Sequence, residues 1–294
     1  MTVPAEAFPR VPADPGPSEL QRARESFRRG QARRSVAIAS VSTVVFLAVA
    51  GTVIVTSPGW DRVRTSFLDG GVARSSFPAI LEGLWLNLRV LAVCAVLIVL
   101  VGLGLAALRT LRGAVFFPLR ALATIYVDAF RGIPLIILLY LVGFGFPGLR
   151  LQGLPTSPVI LGSVALVLTY SAYVAEVFRA GIDSVHPSQR AAARSLGLTY
   201  GQTMRRVVLP QAVRRVLPPL LNDFVALQKD VGLISVLGAV DAVRAAQISV
   251  AQTYNFTPYL VAGLLFVALA VPTVRLADWV NGRATRRQQA AGAL

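Results

Sequence analysis

Apolar and polar positions along this chain are organised on the scale of whole helices. From Val36 to Val55 no residue is charged, and roughly 20 apolar residues in a helix cross the ~30 Å of hydrocarbon in a bilayer. Four further runs follow, at Ile80–Leu108, Leu119–Gly145, Pro158–Phe178 and Tyr259–Val280. A sixth, Val216–Val240, is interrupted by Asn222, Asp223, Lys229 and Asp230. Its length and flanks still predict a crossing, because backbone at that depth must be satisfied internally and a helix does so. The pattern therefore predicts an all-α membrane protein with six transmembrane helices and both ends on one side. The first run is too long for a cleavable signal and lacks its small-residue cleavage site, so 36–55 reads as a retained anchor. Residues 1–35 read as a disordered basic tail, with Pro9, Pro12, Pro15 and Pro17 in its first half. Residues 284–294 form a second tail.

Composition agrees: 55% of the 294 residues are hydrophobic, only 15% are charged, and mean hydropathy is +0.64. A soluble domain carries about a quarter charged residues. The net charge of +15 would suggest nucleic acid on a soluble protein, but here the basic residues flank apolar runs, with no zinc spacing, helix-turn-helix context or aromatic RNA-binding motif. Arginines give the orientation. Twenty-one fall in the N-terminal tail, the Arg109–Arg120 loop, the Arg179–Arg215 loop and the segment from Arg275 onward, against five (Arg62, Arg64, Arg74, Arg150, Arg244) in the loops on the other side. Both termini are expected in the cytoplasm, with Ser57–Ala73, Gly148–Thr156 and Arg244–Tyr254 outside. Most of the charge is thus a topology signal.

Catalytic patterns are missing. The sequence has no GxxxxGK followed by Ser or Thr, a single histidine (His186) and a single cysteine (Cys94). The chain is not expected to be an enzyme, to hold a nucleotide, metal or other cofactor, or to form an intrachain disulfide.

The loop between the fourth and fifth spans carries the most organisation: SVHPSQRAAARSLGLTYGQTMRRVVLPQAVRR. It reads as two short helices. Pro187 suits a first helical turn; Gln189, Ala192, Ala193 and Leu196 fall at i, i+3, i+4 and i+7 on one face; Gly197 stands where a left-handed C-terminal residue is wanted. Thr199 and Gln202 make a capping box for the second helix, which Leu209-Pro210 is expected to end. A face of alanines lets another backbone approach closely.

This segment resembles the EAA loop of binding-protein-dependent ABC importer permeases: two alanines, three residues, a glycine, then a spacer to a Leu-Pro. Ala191, Ala192, Ala193, Gly197, Leu209 and Pro210 occupy those places, with Ala191 where the family has Glu and Ser188 where it has Gly. Three flanking segments resemble the polar amino acid permeases. YVDAFRGIPLIILLYLVGFG has Asp128, Phe130, Arg131, Gly132 and Pro134 in place, with Asp128 for Glu and Ile133 for Thr. SAYVAEVFRAGIDSV matches through Ala172, Tyr173, Glu176, Arg179, Gly181, Ser184 and Val185. LPPLLNDFVALQKDVGLISVLG keeps Lys229, Asp230 and Leu233, while Val231 and Gly232 depart from KDTSL. The resemblance runs over about 83–283, with the coupling loop at 184–210, and leaves the tail and first span outside it.

The resemblance implies a type I permease core of five helices behind an added N-terminal anchor, in the cytoplasmic (inner) membrane. It implies polar amino acids as cargo; another small solute of the superfamily, such as an opine, a cystine-like or a sulfur compound, stands as the alternative. It also implies a second permease copy or paralogue, two ATPase subunits and an extracytoplasmic solute-binding protein as partners, besides the lipid bilayer and with no nucleic acid. Gln189, Ala192, Ala193, Leu196, Gly197, Leu209 and Pro210 would then contact the ATPase. A secondary transporter would normally show internal repeats, and none is visible.

Charges in spans are costly and face protein or water. Asp128 with Arg131 and Glu176 with Arg179 stand at i,i+3, where opposite charges satisfy each other. Lys229 and Asp230 are adjacent and do not face each other on a helix; followed by Val231-Gly232, they suggest a local break. Asp128, Glu176, Lys229 and Asp230 are the candidates for the substrate path, against the alternative that they pack between helices.

Overall fold

The computed structural model describes residues 19–111 and 113–292; the disorder expected for 1–18 lies outside the described residues. Regular structure among the described residues is entirely helical. The chain divides at Val63–Arg64. On the N-terminal side, α1 (Glu19–Val55) contains the expected anchor but begins before it, so residues 19–35 extend the helix where disorder was expected. Its apolar side chains from Val36 to Val49 are exposed, Phe46 by 70%. A helix apolar all round is what a membrane span requires.

α2 (Trp60–Phe67) and the start of α3 (Gly70–Thr110) occupy much of the segment expected as an external loop. The Asp69 carboxylate caps α3, accepting from the amides of Gly71 at 2.8 Å and Val72 at 3.1 Å. The last three residues of α2 are tied elsewhere: the Asn255 side chain donates to the Thr65 carbonyl at 2.8 Å, Phe256 N–H to the Ser66 carbonyl at 2.7 Å, and Phe67 stacks on Phe256 at 5.1 Å. Polar composition hid these helices, because caps and distant contacts order them rather than an apolar run.

The central packing is α3 against α7 (Pro158–Asp183). Val90, Leu91, Cys94 and Ile98 meet Leu166, Tyr170 and Val174, closed by Leu227, Val231 and Ile234 of the fifth crossing. A second cluster joins Ile80 and Leu84 of α3 to Ala242, Ala245 and Ala246 of α11 (Ala242–Thr253) and Ala262 of α12 (Thr257–Gly292). Burial of this kind contributes about 25 cal/mol per Å² where it removes apolar surface from water; within lipid, close packing and polar contacts take over that role.

The third apolar run is not one straight span. α4 (Phe117–Gly132) is followed by α5 (Leu135–Tyr140), a π turn at Leu141–Gly145 and α6 (Phe146–Gly148), and the two legs meet at 106°. Pro134 explains the bend: it lacks the N–H that would continue the ladder and forces Ile133 into extended backbone at ψ 125. The fifth crossing likewise runs through α9 (Tyr200–Thr203), a π turn at Met204–Val208, α10 (Leu209–Asp230) and a 3-10 stretch at Val231–Leu237 before bending 50° into α11. Among the described residues four helices are long and apolar enough to cross a membrane, or up to six if each bent pair is one span.

A buried polar network holds the second bend. Asn87 of α3 donates to Asp241 Oδ2 at 3.0 Å and to the Val231 carbonyl at 3.2 Å, and accepts from Ala242 N–H at 3.1 Å. Asp241 also caps α11 through Arg244 N–H at 2.9 Å. Each group has a partner, as burial requires. Gly83 makes this approach possible: a Cβ there would lie 2.3 Å from Asp241 C.

Candidate functional site

Between the bend after α4, the middle of α7 and the end of α10 lies a cavity of about 420 Å³, within the range of small-molecule sites. Its polar lining comes from Arg131, Thr169, Tyr170, Tyr173, Asp223 and Asp230. Asp223 and Asp230 share a face of α10 because seven residues are close to two helical turns. The Tyr170 hydroxyl donates to Asp230 Oδ2 at 2.7 Å. Asp223 Oδ2 and Thr169 Oγ1 are buried without a hydrogen-bond partner. Orphaned buried acceptors cost of the order of 1–3 kcal/mol unless something occupies them.

Of the four expected path residues, only Asp230 lines this cavity. Lys229 is exposed and points away, since neighbours on a helix diverge by about 100°. Asp128 is exposed, and its expected partner Arg131 turns instead towards Glu176, Nη1 to Oε2 at 3.9 Å. Glu176 sits beside the cavity as the centre of an arginine cluster. Arg109 of α3 approaches Oε2 at 2.9 Å, and Arg179 holds both oxygens, as the i,i+3 spacing led one to expect. Arg179 also pairs with Asp183 at 2.6 Å. Asp223 and Arg131 stood among the charged residues of the spans, but their convergence depends on the 106° bend, which hydropathy does not encode. The i,i+7 spacing of Asp223 and Asp230 is the signal that could have found the acidic wall.

The 184–210 segment builds a second feature. α8 (Pro187–Ser195) starts on Pro187 and closes with Gly197 at φ +80, Gly197 N–H donating to the Arg194 carbonyl at 2.9 Å and Leu198 N–H to that of Ala193 at 3.2 Å. That pairing satisfies two orphan carbonyls of the helix end. The capping box forms: Gln202 N–H donates to Thr199 Oγ1 at 3.3 Å, and Thr199 N–H to Gln202 Oε1 at 2.9 Å. Arg190 and Arg215 donate to the carbonyls of Ile182 and Ser184, fastening α8 and α10 to the end of α7. Gln211 donates to Gln189 Oε1 at 2.8 Å.

Two expectations change here. Leu209-Pro210 does not end the second helix; Pro210 falls in the first turn of α10, where its missing N–H costs least, and the preceding π turn absorbs the mismatch. Nor do the four residues of the α8 face share one fate. Ala193 is buried within the protein, whereas Gln189, Ala192 and Leu196 are exposed, Leu196 by 83%.

Residues 98–286 match the family described as binding-protein-dependent transport system inner membrane component. The chain is 35% identical over 205 residues to the arginine transport system permease protein ArtQ of Bacillus subtilis (strain 168), covering 69% of this chain and 91% of the relative. It is 40% identical over 169 residues to the probable glutamine ABC transporter permease protein GlnM of the same organism, covering 56% and 76%. The fold is similar to that in a crystal structure of an amino acid ABC transporter with histidines, with a TM-score of 0.65 and 33% identity over 70% of this chain and 94% of the other.

Proposed function

The chain belongs to the family of binding-protein-dependent transport system inner membrane components, and from that premise we propose that it carries polar amino acids through the cavity between α4, α7 and α10. It is a multi-pass protein of the inner membrane with the type I permease fold, a transport subunit rather than a catalytic one. ATPase subunits and a binding protein are its partners in general terms. In our reading there are two ATPases and a second permease, copy or paralogue; both termini are cytoplasmic, 83–283 is the permease domain, and ATP is hydrolysed only on the partners.

The observation that carries the substrate reading is the lining of the cavity. A polar amino acid brings an ammonium and a carboxylate, and the cavity brings Asp223 and Asp230 beside Arg131. Asp223 Oδ2 and Thr169 Oγ1 await partners, and arginine and glutamine stand in the names of the two relatives. Energy arrives through the 184–210 segment. The exposed Ala192 and Leu196 are offered to a groove on the ATPase, while Ala193, Gly197, Leu209 and Pro210 set the shape of the loop and Gln189 ties it to Gln211.

The test is uptake in proteoliposomes with binding protein supplied, run beside ATP hydrolysis. Asp223→Asn and Asp230→Asn should assemble and hydrolyse ATP, yet lose uptake or change the amino acid accepted. Normal uptake of the same amino acid by both variants would remove the cavity from the path.

A further inference from the structure

We propose that Arg131 is shared between two carboxylates, that of Glu176 and that of the transported amino acid, so that cargo in the cavity withdraws a cation from the arginine cluster. This rests on the cavity being the substrate path.

Three guanidinium groups surround Glu176, and they are not equivalent. Arg109 meets Oε2 at 2.9 Å with its side chain only 13% exposed, and Arg179 takes both oxygens. These two already fill the strong acceptor positions. Arg131 stands 3.9 Å away, beyond the ~3.2 Å reach of an N–H···O hydrogen bond. Its side chain donates no hydrogen bond to a described residue and is 41% exposed. Its guanidinium carbon also lies 5.9 Å from the centre of the Tyr173 ring. Arg131 therefore has unused donors in a fork that matches a carboxylate.

Position decides which carboxylate can use them. Arg131 lies in the last turn of α4, directly before the Gly132-Ile133-Pro134 bend, and lines the same cavity as Asp223 and Asp230. A carboxylate entering there meets a guanidinium that gives up only a long, partly solvated ion pair, and such pairs are weak. The move is also favoured by charge, because Arg131 leaves the neighbourhood of two like-charged groups, Arg109 and Arg179. Arg109 and Arg179 remain on Glu176. Occupancy of the cavity is thereby linked to contacts at the ends of α3, α4 and α7, and Arg179 lies a few residues before the segment read as the ATPase contact. Linkage is reciprocal: whatever holds Arg131 on Glu176 weakens cargo binding by the same factor.

Arg131 is on this account a positioning and specificity residue that reads the carboxylate end. The measurement is equilibrium binding of L-arginine and L-argininamide to the detergent-solubilised permease–ATPase complex without binding protein, repeated with L-glutamine and its amide. Wild type should prefer the acid to the amide. Arg131→Gln should reduce that preference at least about tenfold, the scale of a charge-assisted hydrogen bond, and Arg131→Lys should restore part of it. Glu176→Gln removes the competitor and should raise affinity for the acid a few-fold without raising it for the amide. If that variant does not assemble, Glu176→Asp shortens the carboxylate and should act in the same direction. A preference unchanged in Arg131→Gln, or lowered in the Glu176 variants, overturns the proposal. Failure of the underlying reading looks different: Asp223→Asn would then bind both acids and amides as wild type does.

Discussion

A methyl group on Gly83 would lie 2.3 Å from Asp241 C and 2.4 Å from Ala242 N, backbone atoms that the Asn87 network holds in place. Gly83→Ala should therefore destabilise the protein by about 1–3 kcal/mol, as overpacking does. Asn87→Ala should cost a similar amount, since it strands Asp241 Oδ2 and Ala242 N–H. Thermal unfolding of the solubilised complex checks both, and an unchanged midpoint in either variant would contradict the geometry. At this scale the sequence was informative where chemistry is local. Gly197 sits at φ +80 as its position after α8 required. Lys229 shows the limit. The break after Asp230 was legible, yet side-chain direction turns by about 100° between helical neighbours, and only the packed helix says which of the two faces inward.

Among elements, α8 and its turn were almost fully legible, because a proline start, a glycine stop and a capping box act within a few residues. The face that it presents was not, since Ala193 is buried by contacts that spacing cannot supply. This division separates two substitutions. Leu196→Asp leaves the fold intact and should abolish coupling, seen as lost uptake at normal protein level with normal binding of the binding protein. Ala193→Arg should lower the protein level itself. Gly197→Asp should do both in part, with a backbone cost of about 1 kcal/mol. Wild-type uptake in Leu196→Asp would take α8 out of the energy path. The long crossings were less faithful to their apolar runs. Each π turn ends two residues before a proline, Gly145 before Pro147 and Val208 before Pro210, so hydropathy ran on through segments that the backbone interrupts.

For the whole molecule, hydropathy gave the number of crossings if each bent pair is one, and arginine placement gave a direction that the fold itself leaves open. In a Cys94→Ala background, Gln152→Cys and Tyr254→Cys should react with an impermeant thiol reagent in intact cells, and Gln189→Cys should not. Reversed labelling would overturn the orientation. The tie between Asn87 and Asp241 has a consequence for synthesis. The two residues are 154 positions apart, and at the usual ~5–20 residues per second α3 waits roughly 8–30 s for its partner. Throughout that interval a side-chain amide stands in or near the membrane without the acceptor and donor that the finished protein gives it. Until α11 is made, α3 either keeps that amide in a wet environment or is held by a helper, and a truncated chain ending before Asp241 should be cleared rather than accumulate.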